Sequence, residues 1–282
     1  MADTTATPIP EVVPGRAPMS LRAPGRTRGA IRRLLSSLSG LLPIAAIILL
    51  WEVVARWGGV PPLLLPPFSA VVEQLVTLTV SGQLLTDLYT TSMRAAVGLL
   101  IGMVAGIGCG LAMARVRAVK WFLDPLVAIG FPTPTIALLP VVILWFGTGH
   151  GSKIFLVALT CFFPIVMSTY AGAREVPSRF LWSAQAMGTS APRLLTRVVF
   201  PAAAPFVFSG IRVAVPLAVI VCFVAEMVGG GGGLGYALIF GYRFMQTTTV
   251  FSALVVVLLF GLVLDRALLF LRRKLLPWDE SE

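Results

Sequence analysis

The chain has 282 residues, 57% of them hydrophobic and only 12% charged, against about 25% charged residues in soluble domains. Its mean hydropathy is +0.92, and the apolar residues come in blocks of roughly 20, the length a helix needs to cross a bilayer. A soluble globular domain is excluded, and the expected fold class is all-α, a polytopic membrane protein embedded in the lipid bilayer.

The net charge of +10 would suit nucleic acid. No basic run is interleaved with aromatic residues, however, and the charges flank the apolar blocks, so they are topology signals and no nucleic-acid partner is expected.

Residues 1–33 are rich in Pro, Ala, Thr and Arg without apolar periodicity and read as a disordered, basic cytoplasmic tail. The transmembrane domain follows over residues 34–274, and residues 275–282 form a cytoplasmic C-terminal tail. The first span, Leu34 to Trp57, is too long for a signal-peptide core and lacks a small-residue cleavage site. After Val60-Pro61-Pro62 and Leu65-Pro66-Pro67-Phe68, the stretch Ser69 to Leu78 has the pattern of an interfacial amphipathic helix on the outer face. Five more spans are predicted, at Ser92–Ala114, Phe122–Phe146, Ile154–Ala173, Phe206–Val228 and Val250–Leu271. Six spans put both termini on one side. That side then carries 17 Lys and Arg, the other carries four, and Arg212 lies within the fifth span, which accounts for all 22. The termini are therefore expected to be cytoplasmic.

Within the second span, Gly98, Gly102, Gly106 and Gly110 form a repeated GxxxG stripe that invites close approach of another helix, either within the chain or in a second copy. The third span carries Pro132, Thr133, Pro134, Thr135 and Pro140. Prolines free backbone carbonyls, and in lipid those need other partners, so this helix is either a kinked packing element or the lining of a pathway. The fifth span holds Arg212 and Glu226 and the sixth Asp265. All three fall near membrane interfaces, where snorkelling is cheap, and Arg212 is within plausible reach of Asp265.

Between spans four and five, Ser178 to Met187 reads as a short helix that Gly188 breaks. Ser190 can cap a second helix, with Pro192 in its first turn, ending at Phe200-Pro201. Leu194, Leu195, Val198 and Val199 against Arg193, Thr196 and Arg197 give this element an apolar surface that suits a protein partner or a lipid surface equally.

Gly229 to Gly233 is an unbroken glycine run followed by Leu234-Gly235-Tyr236, a mobile or tightly turned backbone. Its formal GxGxxG (Gly230, Gly232, Gly235) is an accident of the run, since no strand precedes it, and no P-loop occurs anywhere, so no nucleotide site is expected in this chain. Cys109, Cys161 and Cys222 have no paired spacing, and His150 is the single histidine. Neither a metal site nor a catalytic constellation is expected.

Gly188, nine residues, then Val198-Val199-Phe200-Pro201 resembles the EAA motif of binding-protein-dependent ABC importer permeases, EAAxxxG, nine residues, IxLP. Trp182 and Ser183 stand where the motif has Glu and the first Ala, only Ala184 is retained, and Val198 and Phe200 replace Ile and Leu. The resemblance runs from about Leu63 to Trp278 and is similar to the nitrate, sulfonate, taurine and bicarbonate subfamily. It is carried by stretches such as Leu123-Asp124-Pro125-Leu126, Ser152-Lys153-Ile154-Phe155, Ala225-Glu226-Met227 and Gly233-Leu234-Gly235-Tyr236.

That resemblance implies a non-catalytic permease subunit of type I importer fold in the bacterial inner membrane. Its partners would be a second copy of the chain, two cytoplasmic ATPase subunits that bind ATP and Mg, and an extracytoplasmic substrate-binding protein. It implies coupling to the ATPase through residues 178–201, with Trp182, Ala184, Gly188, Arg193, Leu194, Leu195, Arg197, Val198, Phe200 and Pro201 at the contact and Gly188 as the joint. Pro132, Thr133, Pro134, Thr135 and Glu226 are the candidates for the pathway, and Tyr236 and His150 for contact with the binding protein. The implied substrate is a small anion, with a sulfonate foremost. The alternative is an ion-coupled secondary transporter, which would need midplane ion sites on repeated halves; neither is evident.

Overall fold

The computed structural model describes residues 26–275, with side chains from residue 42 to residue 274. All regular structure among the described residues is helical. The chain divides into two units, residues 1–50 and 51–282.

Helix α1 (Arg26–Trp57) starts earlier than expected. Residues 26–33, assigned from composition to the tail, are helical and run on into the first apolar block; Ala30, Arg32, Arg33, Leu34 and Leu35 are all good helix formers. The rest of the expected tails, residues 1–25 and 276–282, lies outside the described residues.

The larger unit continues with α2 (Phe68–Val80), α3 (Gln83–Arg115), α4 (Arg117–Gly130), a 3-10 turn at Thr135–Leu138, α5 (Leu139–Phe146) and α6 (His150–Glu175). It then has α7 (Ser178–Ala186), α8 (Ala191–Leu194), a π-helical turn at Leu195–Val199, α9 (Phe200–Gly229), α10 (Leu234–Arg243) and α11 (Thr247–Leu275). Among the described residues, four segments are long and apolar enough to cross a membrane: α3, α6, α8 through α9, and α11. Helix α4 and the segment Thr135–Phe146 qualify together as a fifth, bent by 93°. What the proline pattern suggested as a kink is thus a complete break, because Pro132 and Pro134 remove two of three successive backbone donors and bias the residues before them away from helix.

The core lies where α3, α6 and α9 meet. The glycine stripe of α3 finds its partner inside the chain, in α6. A Cβ on Gly98 would stand 2.6 Å from Cβ of Val157, one on Gly102 2.6 Å from the carbonyl oxygen of Ala158, and one on Gly110 2.7 Å from Cβ of Thr169. Backbone-to-backbone approach of this kind substitutes dispersion contact for the hydrophobic drive that lipid does not supply. Around it, Leu156, Val157, Cys161 and Ile165 of α6 pack with Ala214, Ala218, Cys222 and Ala225 of α9 and with Leu139 and Val142 of α5.

Helix α2 lies against α11, with its other apolar face exposed. Val71 is wholly buried, and the Ser252 hydroxyl donates to the Val71 carbonyl at 3.2 Å. The start of α2 is held by Glu52, whose carboxylate accepts from the Ser69 N–H at 3.1 Å and from Arg56 Nε at 2.6 Å. A carboxylate at a helix start meets the positive end of the helix dipole.

Candidate translocation and coupling sites

At one end of the unit, α7 closes on Gly188, whose φ of +75° is open to glycine at no steric cost. The Gly188 N–H donates to the Gln185 carbonyl at 2.9 Å and the Thr189 N–H to that of Ala184 at 3.1 Å, ending the helix. Ala184 and Leu194 are buried, Leu195 and Val198 are half-buried, and Val199 packs with Leu111, Ala173, Val176 and Ala203. Trp182 and Met187 point away from this anchor, 68% and 79% exposed, and Gly188, Arg193, Arg197, Phe200 and Pro201 are exposed as well.

The second helix of this loop does not end at Phe200-Pro201 as its sequence suggested. Pro201 has no N–H to offer the Arg197 carbonyl, and the chain absorbs the defect in the π turn, where the Phe200 N–H reaches back to Leu195. Helix continues through it, so Ala191–Gly229 is one segment of 39 residues. A single-turn π insertion inside an α-helix is uncommon and often sits at functional positions.

At the break between α4 and α5, Pro132, Thr133 and Pro134 are exposed and Thr135 is buried. The Thr135 and Thr160 hydroxyls lie 2.7 Å apart, Thr160 donates to the Leu156 carbonyl at 2.8 Å, and the Thr133 hydroxyl returns to the Ile129 carbonyl at 2.7 Å. Non-helical backbone at membrane depth is tolerated where it is buried in protein or lines a wet cavity, and this break presents three residues to the outside of the chain.

At the other end of α9, Glu226 is wholly buried and does not snorkel. Its Oε1 accepts from Arg94 Nη1 at 2.7 Å, and both side chains are 0% exposed. Oε2 accepts from the Thr91 hydroxyl at 2.8 Å and from the Gly235 N–H at 3.1 Å. Arg94 spends its remaining donors on the glycine run, Nη1 on the Gly232 carbonyl at 2.8 Å and Nη2 on that of Gly231 at 2.6 Å, and Nε on His150 Nδ1 at 3.1 Å. Thr91 Oγ1 accepts from the Leu234 N–H at 2.9 Å, and Asp87 Oδ1 from the Gly233 N–H at 3.0 Å. The run is thus a fixed turn leading into α10. Four of its five residues, Gly230 to Gly233, have positive φ, which a Cβ would oppose.

Lys153, also wholly buried, donates to the carbonyls of Thr148 and Gly229. Gly229 ends α9 and Thr148 follows the end of α5, so the ammonium sits where two helices present their negative ends.

Tyr236 and His150, both expected to contact the binding protein, lie in different surroundings. Tyr236, with Gln74, Asp87, Phe240 and Thr249, lines an open cavity of about 730 Å³, whereas exposed His150 belongs to the Arg94 cluster. Arg212 and Asp265 line another cavity, of about 450 Å³, between α9 and α11. Both are exposed and no ion pair forms between them. Among the described residues, no group of His, Cys, Asp and Glu is placed to hold a metal ion.

Asp87, Thr91, Arg94 and Lys153 were not singled out from sequence. The first three recur at i, i+4 and i+7, one helix face, and that face is the one the glycine stripe continues. The pairing with Glu226, 132 residues away from Arg94, leaves no local trace.

Apolar crossing segments, a broken one among them, and a helical loop with exposed apolar side chains joined to a crossing helix define a polytopic helical membrane protein. The chain belongs to the family described as the binding-protein-dependent transport system inner membrane component, whose profile matches residues 98–277. It is accordingly an ABC importer permease, a multi-pass protein of the bacterial plasma membrane. It is 33% identical over 244 residues to the putative aliphatic sulfonates transport permease protein SsuC of Bacillus subtilis (strain 168), covering 86% of this chain and 88% of that one. It is 31% identical over 240 residues to the taurine transport system permease protein TauC of Escherichia coli (strain K12), covering 83% and 87%. In fold it is similar to the MetNI methionine ABC transporter in an inward-facing conformation, with a TM-score of 0.59 at 20% identity, covering 70% of this chain and 97% of that one.

Proposed function

We propose that this chain is the non-catalytic pathway subunit of an importer for a small organic anion of the sulfonate class. It would act as two copies, joined to two cytoplasmic ATPase subunits and served by an extracytoplasmic binding protein. The substrate class rests on the kinship with permeases named for aliphatic sulfonates and taurine. In this reading six spans, α1 the first of them, leave both termini and residues 178–201 in the cytoplasm, in keeping with the lysine and arginine distribution. The exposed break at Pro132, Thr133 and Pro134, with Thr135 behind it, lines the pathway. Glu226 stands at the outer mouth, and Tyr236 and His150 face the binding protein.

The observation that carries the coupling role is the loop itself. Trp182 and Met187 expose large apolar surface, while the second helix runs without interruption into α9. Exposed large apolar anchors on a rigid base, an aromatic one among them, are what a protein partner's groove accepts, and a load placed there acts on a crossing helix rather than on a slack linker. ATP-driven closure of the ATPase pair then biases the permease between two states of access.

The test is co-purification. This chain, tagged and expressed with its partners, should bring the ATPase subunit with it in equal amount, and deleting residues 193–200 should abolish that recovery. Binding-protein-dependent ATPase activity should respond to sulfonates ahead of nitrate or pyrimidines. Recovery of the chain alone, with transport in liposomes persisting without ATP, would overturn the proposal.

A further inference from the structure

The clamp around Arg94 and the loop at residues 178–201 lie at opposite ends of one helix. The segment Ala191–Gly229 has 39 residues, roughly 60 Å at 1.5 Å per residue. It begins within the coupling loop and carries Glu226 one turn from its far end. From Glu226 and from one face of α3, side chains hold five successive residues of the following turn: the carbonyls of Gly231 and Gly232, and the N–H groups of Gly233, Leu234 and Gly235. None of these five contacts is made between two backbone groups, so the shape of the turn depends on where α3 and α9 place Asp87, Thr91, Arg94 and Glu226.

Resting on the coupling role proposed above, we infer that Asp87, Thr91, Arg94 and Glu226 are positioning residues that form a latch at the outer mouth. The latch is operated from the ATPase side through α8 and α9. A sliding or turning of α9 against α3 draws Glu226 from Arg94 and Thr91 and releases the glycine turn and, with it, α10, whose Tyr236 and Phe240 line the open cavity of about 730 Å³. Asp87 and Gly232 line that same cavity, so whatever the binding protein places there touches the latch directly. The two ends of α9 thereby become two handles on one equilibrium, and coupling between them is reciprocal.

The experiment uses the complete complex in lipid nanodiscs, with ATPase activity measured with and without binding protein. Glu226→Gln removes the charge and puts an NH2 group against donors on one side. Thr91→Val removes the hydroxyl that both accepts from Leu234 and donates to Glu226, and Thr91→Ser restores it. With the ATPase subunit still recovered in equal amount, Glu226→Gln and Thr91→Val should raise the activity seen without binding protein by at least about fivefold, the lower end of usual allosteric couplings. Stimulation by binding protein should shrink correspondingly, and Thr91→Ser should return both to the wild-type pattern.

Wild-type stimulation in intact Glu226→Gln and Thr91→Val complexes would overturn the latch. So would loss of assembly in both variants, which would reduce the cluster to a staple of the fold. Absence of binding-protein stimulation in the unaltered complex would instead count against the importer assembly itself, so the two failures are told apart.

Discussion

The guanidinium of Arg94 and the carboxylate of Glu226 meet at 2.7 Å with no exposed surface on either side chain. Removing one member strands the other in a buried site, which costs about 3–5 kcal/mol, whereas replacing both with apolar groups of similar volume is often nearly neutral. Arg94→Met and Glu226→Leu should each lower the melting temperature of the purified permease markedly, and the double variant should recover much of the loss. Equal melting of single and double variants would show that the partners do not depend on each other. The double variant should still fail to order the glycine turn, since no donor remains for the Gly231 and Gly232 carbonyls; proteolysis within residues 229–235 reports this.

The α3–α6 contact makes a sharper distinction between glycines of the same helix. A Cβ on Gly102 would press to 2.6 Å on the Ala158 carbonyl, whereas one on Gly108 would meet nothing within 4 Å. Gly102→Ala should therefore destabilise by about 1–3 kcal/mol as the helices are forced apart. Gly108→Ala should stabilise by up to about 1 kcal/mol through helix propensity alone. Unfolding in mixed detergent measures both.

What the sequence disclosed follows the range over which each signal acts. The apolar blocks of α3, α6, α9 and α11, the glycine stripe and the turn at Gly188 are local patterns with local causes, and they appear where expected. The break at Pro132 and Pro134 was visible as a weakness, but its angle depends on Thr135 meeting Thr160 and on Gly130 seating the Phe163 ring, contacts between distant segments. The end of the loop was misplaced because Pro201 normally terminates a helix, and only the three-dimensional path shows a π turn absorbing it. Glu226 looked like an interfacial carboxylate because its partner, Arg94, lies on another helix and counted as an outer-side charge.

Trp182 stands where the EAA motif has its glutamate, and it is 68% exposed. A large aromatic anchor entering a groove on the ATPase subunit commonly accounts for 2 kcal/mol or more, about a 30-fold change in affinity. Trp182→Ala should weaken ATPase binding to the nanodisc-embedded permease by about that factor, and Trp182→Phe by much less. Melting of the permease alone should not change, because the side chain contributes little to the packed anchor at Ala184 and Leu194. Undiminished binding of Trp182→Ala would place the docking energy elsewhere on the loop.

Pro201 sets the phase between the coupling loop and the helix it drives. Restoring an N–H at this position with Pro201→Ala allows Leu195–Val199 to tighten from the π turn into regular α-helix. Loss of one residue of excess winding turns α8 relative to α9 by about 100°. Trp182 and Met187, on α7 and at its end, lie outside the altered turn and keep their exposed apolar surface, so the ATPase subunit should still be recovered in equal amount and should still hydrolyse ATP. Its movement would reach α9 on the wrong face, and transport per ATP hydrolysed should fall on the order of tenfold, within the range expected when a coupling of 1–3 kcal/mol is lost. Transport and phosphate release measured together in proteoliposomes give this ratio. An unchanged ratio would mean that the π turn only accommodates the proline and sets no register for coupling.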